Sequence, residues 1–162
     1  MESRLDYQNI LPEGMKRILA LERFSSNSGL EPSLLELVRL RASQINGCAY
    51  CIDMHSKDAR TRGETEQRLY GLNAWRETPY YTDRERAALA LTEAVTLIAD
   101  SHVPDEVYEQ AKQRFNEEEL AKLMTAIIMI NVWNRLAITF RSVPGSYEPD
   151  HFAAKAVLAG NK

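Results

Sequence analysis

Apolar residues recur every three or four positions along nearly the whole 162-residue chain, which is the spacing of one face of an α-helix. The segments between these runs hold helix-start and helix-stop residues rather than the short turns that join β-strands. Both signals predict an all-α fold. A chain of this length can bury a core without disulfides, so we expect a single compact domain of about seven or eight helices over residues 1–162.

Prolines and capping residues predict where the helices begin. A proline fits the first turn of a helix, and a Thr or Asn followed three residues later by Glu can form a capping box. These signals predict helices that begin at Pro12, Pro32, Thr82, Pro104 and Asn116, with a shorter helix from Glu64 to Ala74 and a short tail helix after Pro149. The segment from Leu120 to Phe140 resembles a membrane span in its apolarity, but Lys122 and Arg135 interrupt it, so we interpret it as a core helix.

The Asn-Gly pair at 46–47 separates two of these helices and places a cysteine at the start of the second. Such a pair readily adopts left-handed backbone conformations, so a new helix should begin at or near Cys48 and end around Gly63. Each helical residue turns by about 100°, so Cys48, Cys51 and His55 fall within an arc of about 60°. The only two thiols of the chain and one imidazole therefore share a face.

Each of these cysteines has a source of activation. Free amides and the helix dipole favour a thiolate at Cys48, while His55 lies one turn from Cys51 and can take its proton. A thiolate that attacks a peroxide becomes a sulfenic acid, which a second thiol nearby converts into a disulfide. An external dithiol then reduces that disulfide. The spacing thus predicts redox chemistry that needs no cofactor and no metal.

Other roles for the cysteine pair stay open. Buried free cysteines can pack as small inert hydrophobes. A structural zinc site needs four ligands, and the chain offers only His102 and His151 as further histidines, with no second Cys-x-x-Cys motif. A thiol-disulfide oxidoreductase, or a redox-sensing or zinc-binding module without peroxide turnover, is therefore the alternative hypothesis.

Charge and the N-terminal sequence limit the partners and the compartment. The net charge is −3, and no run of Lys or Arg could follow a phosphate backbone, so we expect no nucleic-acid partner. The first residues show neither a basic start nor an apolar stretch, so we expect a cytoplasmic protein that does not enter a membrane. In a reducing compartment, a close cysteine pair more often serves redox or metal chemistry than structure.

The segment from Glu36 to His55 resembles the core of the AhpD-like alkylhydroperoxidases in the carboxymuconolactone decarboxylase superfamily. Its sequence is Glu-Leu-Val-Arg-Leu-Arg-Ala-Ser-Gln-Ile-Asn-Gly-Cys-Ala-Tyr-Cys-Ile-Asp-Met-His. The resemblance lies in a Glu twelve residues before the first Cys, the Asn-Gly pair, the two cysteines and the spaced His. The helix opening at Thr82 and the Asn-Val-Trp-Asn-Arg run at 131–135 are also similar, so the likeness covers roughly residues 30–142.

The resemblance implies a thiol peroxidase and a role for each site residue. Glu36, through water and His55, would relay the proton of the attacking cysteine, in place of the exposed position usual for a helix carboxylate. Cys51 would attack the peroxide and Cys48 would resolve the sulfenic acid. The helix terminus alone favours Cys48 as the nucleophile, but we follow the resemblance because His55 is nearer to Cys51. The family's decarboxylase branch lacks the cysteine pair and fits less well.

The resemblance also implies substrates and partners. The substrates would be organic or hydrogen peroxides, and the electron donor a lipoamide-type or thioredoxin-like dithiol, in a homo-oligomer that is a trimer or hexamer. Four aromatic residues could line a substrate entrance, although we favour a subunit interface: Trp75, Tyr80, Tyr81 and Trp133. One position departs from the family pattern, since Tyr50 replaces the His before the second Cys, and a phenol is a poor base at neutral pH.

Overall fold

The computed structural model describes residues 2–149 and arranges them as ten helices with no β-strand in that range. The helices are α1 (Tyr7–Ile10), α2 (Pro12–Ser26), α3 (Pro32–Asn46), α4 (Ala49–Thr61), α5 (Glu66–Tyr70), a 3₁₀ helix (Leu72–Glu77), α6 (Asp83–Thr96), α7 (Ile98–Ser101), α8 (Asp105–Arg114) and α9 (Glu117–Phe140). The all-α prediction is confirmed. The count exceeds seven or eight because α1 and α7 have only four residues each and the helix predicted over 64–74 is divided in two.

Capping chemistry fixes most of the helix starts as predicted. Capping boxes join Thr82 to Glu85 at the start of α6 and Asn116 to Glu119 at the start of α9. α2 and α3 both have proline in their first turn. The tail helix predicted after Pro149 and the candidate ligand His151 lie outside the described residues.

α3 lies at the centre of the fold and packs against α4, α6 and α9. Val38 packs with apolar side chains of α6, α8 and α9, while Leu37 packs with the 3₁₀ helix and α6. Nine of the fifteen residues of α3 are buried, and these include Glu36 and Arg39. Two charged side chains on the central helix must therefore find partners inside the protein, because an unpaired buried charge is very costly.

α9 is long and apolar enough to cross a membrane by length and composition alone. In the structure, Leu123 and Ile127 belong to the main hydrophobic core, where they pack with side chains of α3 and α6. The buried amide of Asn134 donates to Ser43 Oγ at 3.0 Å. These contacts are those of a core helix, as the polar interruptions in its sequence predicted.

The turn between α3 and α4 adopts the predicted conformation. Gly47 has a φ of 67° in the left-handed region and ends α3, and Cys48 is the N-cap of α4. Asn46 donates through Nδ2 to Oδ1 of Asn131 and of Asn134. The turn that carries the first cysteine is thereby attached to α9.

Candidate active site

Cys48 and Cys51 form a disulfide at the start of α4, with their Cα atoms 5.4 Å apart. Both side chains are almost fully buried and pack with Ala42, Ile130 and Ala137. Cys48 lies one position outside the helix, and its Sγ accepts a hydrogen bond from the backbone N–H of Cys51 at 3.4 Å. The two sulfurs are thus within bonding reach, and the Cys48 sulfur has an amide donor at the helix terminus.

Glu36 and His55 form a buried pair that joins α3 to α4. The Nδ1–H of His55 donates to Glu36 Oε2 at 2.9 Å, because an ionised carboxylate can only accept. The contact is direct, so the water placed between these residues in the sequence-based relay is not needed there. His55 Nε2 is buried and has no hydrogen-bond partner among the described residues. In the neutral ring, this nitrogen carries a free lone pair and can accept a proton.

Cations around Glu36 keep its carboxylate charged in spite of burial. Arg39 donates to Oε1 at 3.0 Å, and Nε of Arg62 lies 3.9 Å from the same oxygen. Burial alone raises the pKa of Glu36, but the His55 hydrogen bond, the charge that His55 carries when its ring is protonated, and the charges of Arg39 and Arg62 outweigh it and lower the pKa. Glu36 is therefore an acceptor for His55 at neutral pH.

A second carboxylate, Glu22 of α2, extends this pair. Glu22 Oε1 accepts from Arg39 Nη2 at 2.9 Å, and its Oε2 accepts from Trp133 Nε1 at 2.9 Å. Ser26 of α2 accepts from the same Arg39 nitrogen at 2.7 Å. A continuous hydrogen-bonded chain thus runs from His55 through Glu36, Arg39 and Glu22 to Trp133.

The site opens on a cavity of about 580 Å³. Its described lining includes Cys51 and His55 but not Cys48. The lining combines polar and charged groups with an apolar wall: Ser3, Tyr7, Gln8, Glu22, Ser26, Glu36, Arg39, Tyr50, Met54, Asp58, Arg62, Ile130, Trp133, Ala137, Ser142, Val143 and Ser146. A small molecule in this cavity would meet Cys51 rather than Cys48.

A second cavity, of about 420 Å³, lies among the 3₁₀ helix, α6 and α8. Its described lining includes Trp75, Arg86 and Arg114 and contains neither cysteine nor histidine. We therefore place the candidate chemistry at the first cavity.

The segment that follows α9 closes one side of the first cavity. Tyr147 donates through its hydroxyl to Asp58 Oδ1 at 2.7 Å, and Lys57 donates to the Tyr147 carbonyl at 2.8 Å. Burial is the main reason that the pKa of Asp58 is raised, and the negative charge of Glu36 adds to it, against the Tyr147 hydrogen bond. α4 therefore places a carboxyl with a raised pKa near His55, and the segment after α9 contacts that carboxyl through Tyr147.

Comparison with known proteins identifies the family. Residues 12–94 match the carboxymuconolactone decarboxylase family, and this range contains both cysteines, His55 and Glu36. The chain belongs to that family. It is 46% identical over 138 residues to the uncharacterised protein YdfG of Bacillus subtilis, covering 85% of this chain and 94% of YdfG. YnjA of Escherichia coli is 30% identical over 112 residues, which are 69% of this chain and 60% of YnjA.

Solved structures agree with this assignment. A protein of unknown function from Agrobacterium tumefaciens, suggested to be the antioxidant defence protein AhpD, is 44% identical with a TM-score of 0.87. The match covers 90% of this chain and all of that one. The debrominase Bmp8 in complex with 2,3,4-tribromopyrrole has a TM-score of 0.78 at 18% identity, covering 94% and 79% of the two chains, and shares the fold alone. The AhpD-like resemblance is thus confirmed.

The structure brings all four predicted site residues of this family member together, and it adds residues that spacing did not predict. The role of Arg39 was not predicted, although its i,i+3 spacing from Glu36 is a sequence signal for a favourable pair on one helix. No local signal pointed to Glu22 or Trp133. Trp75 and Tyr81 are buried in the chain's own core, so the interface expectation was wrong for these two aromatics.

Glu36, His55 and Asp58 are a poor site for a metal ion. Ligand atoms of Glu36, His55 and Asp58 lie within 4.8 Å of one another. However, Glu36 already faces Arg39 and Arg62, and two guanidinium groups oppose the binding of a cation there. Among the described residues, neither cysteine joins a group of three candidate ligands, so the zinc alternative gains no further ligand.

Proposed function

We propose that this carboxymuconolactone decarboxylase family member is a cofactor-independent thiol peroxidase that reduces organic or hydrogen peroxides. The observation that supports it best is the convergence of two pairs on one cavity. The Cys48–Cys51 disulfide presents Cys51 to the cavity, and the Glu36–His55 pair presents an imidazole to it. A nucleophilic sulfur, a partner sulfur and a base are the groups that such a reaction requires.

In the first step, the reduced Cys51 gives its proton to His55 Nε2, directly or through one water. The thiolate attacks one oxygen of the peroxide, so an S–O bond forms and the O–O bond breaks. The leaving alkoxide, or hydroxide when the substrate is hydrogen peroxide, takes the proton back from His55 and departs as the alcohol or as water. Glu36 holds Nδ1–H throughout, so Nε2 is the nitrogen that gains and loses the proton.

In the second step, Cys48 attacks the sulfenic acid of Cys51. An S–S bond forms, the S–O bond breaks, and water leaves with the Cys48 proton. A dithiol of the lipoamide or thioredoxin type then reduces the disulfide and is oxidised to its own disulfide. Attack by this donor on the cavity-facing Cys51 would release Cys48, whose sulfur already has an amide donor to stabilise the departing thiolate.

Peroxide consumption by the reduced protein tests this proposal. We expect the wild type to turn over tert-butyl hydroperoxide or hydrogen peroxide with dihydrolipoamide as donor, and Cys51→Ser to be inactive. Cys48→Ser should consume one equivalent and then stop, with a sulfenic acid that a dimedone probe maps to Cys51. Equal rates in the wild type and in Cys51→Ser would refute the proposal.

Exchange with protein or small-molecule disulfides is the second candidate function. The N-cap position of Cys48 favours it, because a stabilised leaving thiolate speeds exchange. The same preparations would decide between the two. Fast reduction of a model disulfide without peroxide consumption would favour the oxidoreductase over the peroxidase.

A further inference from the structure

Arg39 connects two carboxylates that come from different helices. Its Nη1 donates to Glu36 at 3.0 Å, and its Nη2 donates to Glu22 at 2.9 Å and to Ser26 at 2.7 Å. The guanidinium is a planar fork whose branches can hold two acceptors at fixed angles, which an ammonium group cannot do. Only 9% of the Arg39 side chain is exposed, so this geometry is protected from solvent.

The far end of the same network reaches Trp133, which lines the same cavity as His55. Glu22 holds the indole of Trp133 through Nε1–H, and Trp133 packs against the cluster that contains the two cysteines. Arg39 therefore lies between the carboxylate that orients His55 and the carboxylate that orients a wall of the cavity. A change at Arg39 would therefore affect both His55, through Glu36, and Trp133, through Glu22.

We propose that Arg39 is a positioning residue for the chemistry of Cys51. Its fork turns Glu36 towards His55, and its positive charge favours the thiolate at Cys51 over the neutral thiol. The inference rests on the proposed role of Cys51 as the reactive thiol. It also gives helix α2 a part in the site, through the contacts of Glu22 and Ser26 with Arg39.

The charged and titratable groups around the Glu36–His55 pair determine whether loss of Arg39 makes the acids of the site bind their protons more or less tightly. α4 contributes Asp58, its C-cap residue Arg62 follows, α2 contributes Glu22, and the segment after α9 contributes Tyr147. Without Arg39, Arg62 is the remaining guanidinium in the described lining of the cavity, and it lies 3.9 Å from Glu36 with 34% of its side chain exposed. Loss of the buried positive charge leaves the carboxylates in excess, so every acid in the site, including the Cys51 thiol, should hold its proton to higher pH.

The test measures the ionisation of Cys51 without any peroxide. In a Cys48→Ser background, Cys51 is the only thiol of the full chain, and its alkylation by iodoacetamide is followed against pH. We expect Arg39→Met to move the midpoint of this profile upward by about one pH unit. At a pH below both midpoints, the alkylation rate should fall roughly tenfold.

Two further variants separate position from charge. Arg39→Lys keeps a cation but cannot bridge two carboxylates, so we expect a shift in the same direction and smaller than that of Arg39→Met. Arg60→Met removes an exposed guanidinium from α4, where Arg60 pairs with Glu66 at the surface. This control should keep the parent profile, because exposed charges are well screened.

An unchanged profile in folded Arg39→Met would overturn the inference. If that variant does not fold, Arg39→Lys decides alone, and a profile equal to the parent would refute the bridging role. An equal shift in Arg60→Met would also refute it, as a general effect of net charge. If the wild type reduces peroxide but the alkylation profile of Arg39→Met is not shifted, only the inference about Arg39 is contradicted. If the wild type does not reduce peroxide, only the proposed peroxidase activity is contradicted.

Discussion

Replacing Glu36 with glutamine should separate the shape of the buried carboxylate from its charge. Oε1 accepts from Arg39 at 3.0 Å and Oε2 accepts from His55 at 2.9 Å. Glutamine has the same outline but only one oxygen, so one of these two donors must lose its acceptor. A hydrogen bond to a charged group contributes about 1.5–3 kcal/mol, so the free energy of unfolding of Glu36→Gln should fall by about 2 kcal/mol.

The same substitution should stop His55 from acting as a base. If the amide oxygen stays on Arg39, the amide NH₂ faces His55 Nδ1, and that nitrogen must become the acceptor. The ring proton then moves to Nε2, which can no longer take the proton of Cys51. Since a positioned base typically contributes a factor of about 10²–10⁴, we expect the rate of peroxide reduction to fall by at least about 10².

Two measurements on one preparation check this prediction. Urea unfolding gives the stability change, and peroxide consumption by the reduced protein gives the rate. Glu66→Gln is the matched control, since Glu66 forms an exposed ion pair with Arg60 and should change neither quantity by much. A rate within threefold of the wild type in folded Glu36→Gln would refute the assignment of Glu36 to the proton relay.

Three further predictions concern stability. The pKa of Glu36 is lowered from its ordinary 4.5. The stability that the charged carboxylate contributes is therefore present above pH 4.5 and is lost as the pH falls through the lower pKa of the folded state. Urea unfolding between about pH 6 and pH 3 should show a larger loss of stability for the wild type than for Glu36→Gln. Gly47→Ala meets no atom within 4 Å but must adopt a φ of 67°, so it should cost about 1 kcal/mol in urea unfolding, and no loss would contradict the strain. Thr82→Ala removes one half of the α6 capping box and should cost about 1 kcal/mol by the same measurement, whereas Thr82→Ser should cost little.

Local signals in the sequence were sufficient for most of the helix boundaries. A capping box such as Thr82 with Glu85 depends on four consecutive residues, so its chemistry is readable without the fold. Gly47 likewise ends α3 because of its own backbone freedom. The short helices α1 and α7 were missed because a four-residue segment has too little periodicity to detect.

Spacing in the sequence predicted only those site residues that lie on the same helix. Spacing placed Cys51 and His55 together because both lie on α4, whereas the approach of Glu36 followed from the family resemblance alone. Trp133 and Glu22 are 111 residues apart in sequence and meet only through tertiary packing. No periodicity argument relates residues on separate helices, so these two side chains could not be found before the structure.

Glu36 and Arg39 are buried on the central helix, and their effect on the stability of the fold can be distinguished from their effect on activity. A buried ion pair often contributes little net stability, because desolvation offsets its attraction, while removal of one partner leaves a costly charge. We therefore expect the double variant Glu36→Met with Arg39→Met to be more stable than the sum of the two single changes, by about 1 kcal/mol or more. Cys51 in that variant should nevertheless have lost its reactivity towards peroxide.

A double-mutant cycle in urea, combined with peroxide consumption, tests this separation. The remaining charges of the double variant can be accommodated, because Glu22 faces the cavity with 24% of its side chain exposed and His55 can stay neutral. Additive losses would mean that Glu36 and Arg39 are not coupled energetically, which would contradict the prediction. Retained peroxide reduction would mean that the pair serves packing alone. A stable and inactive double variant is the outcome expected if this charged pair persists in the core because the thiol chemistry requires it.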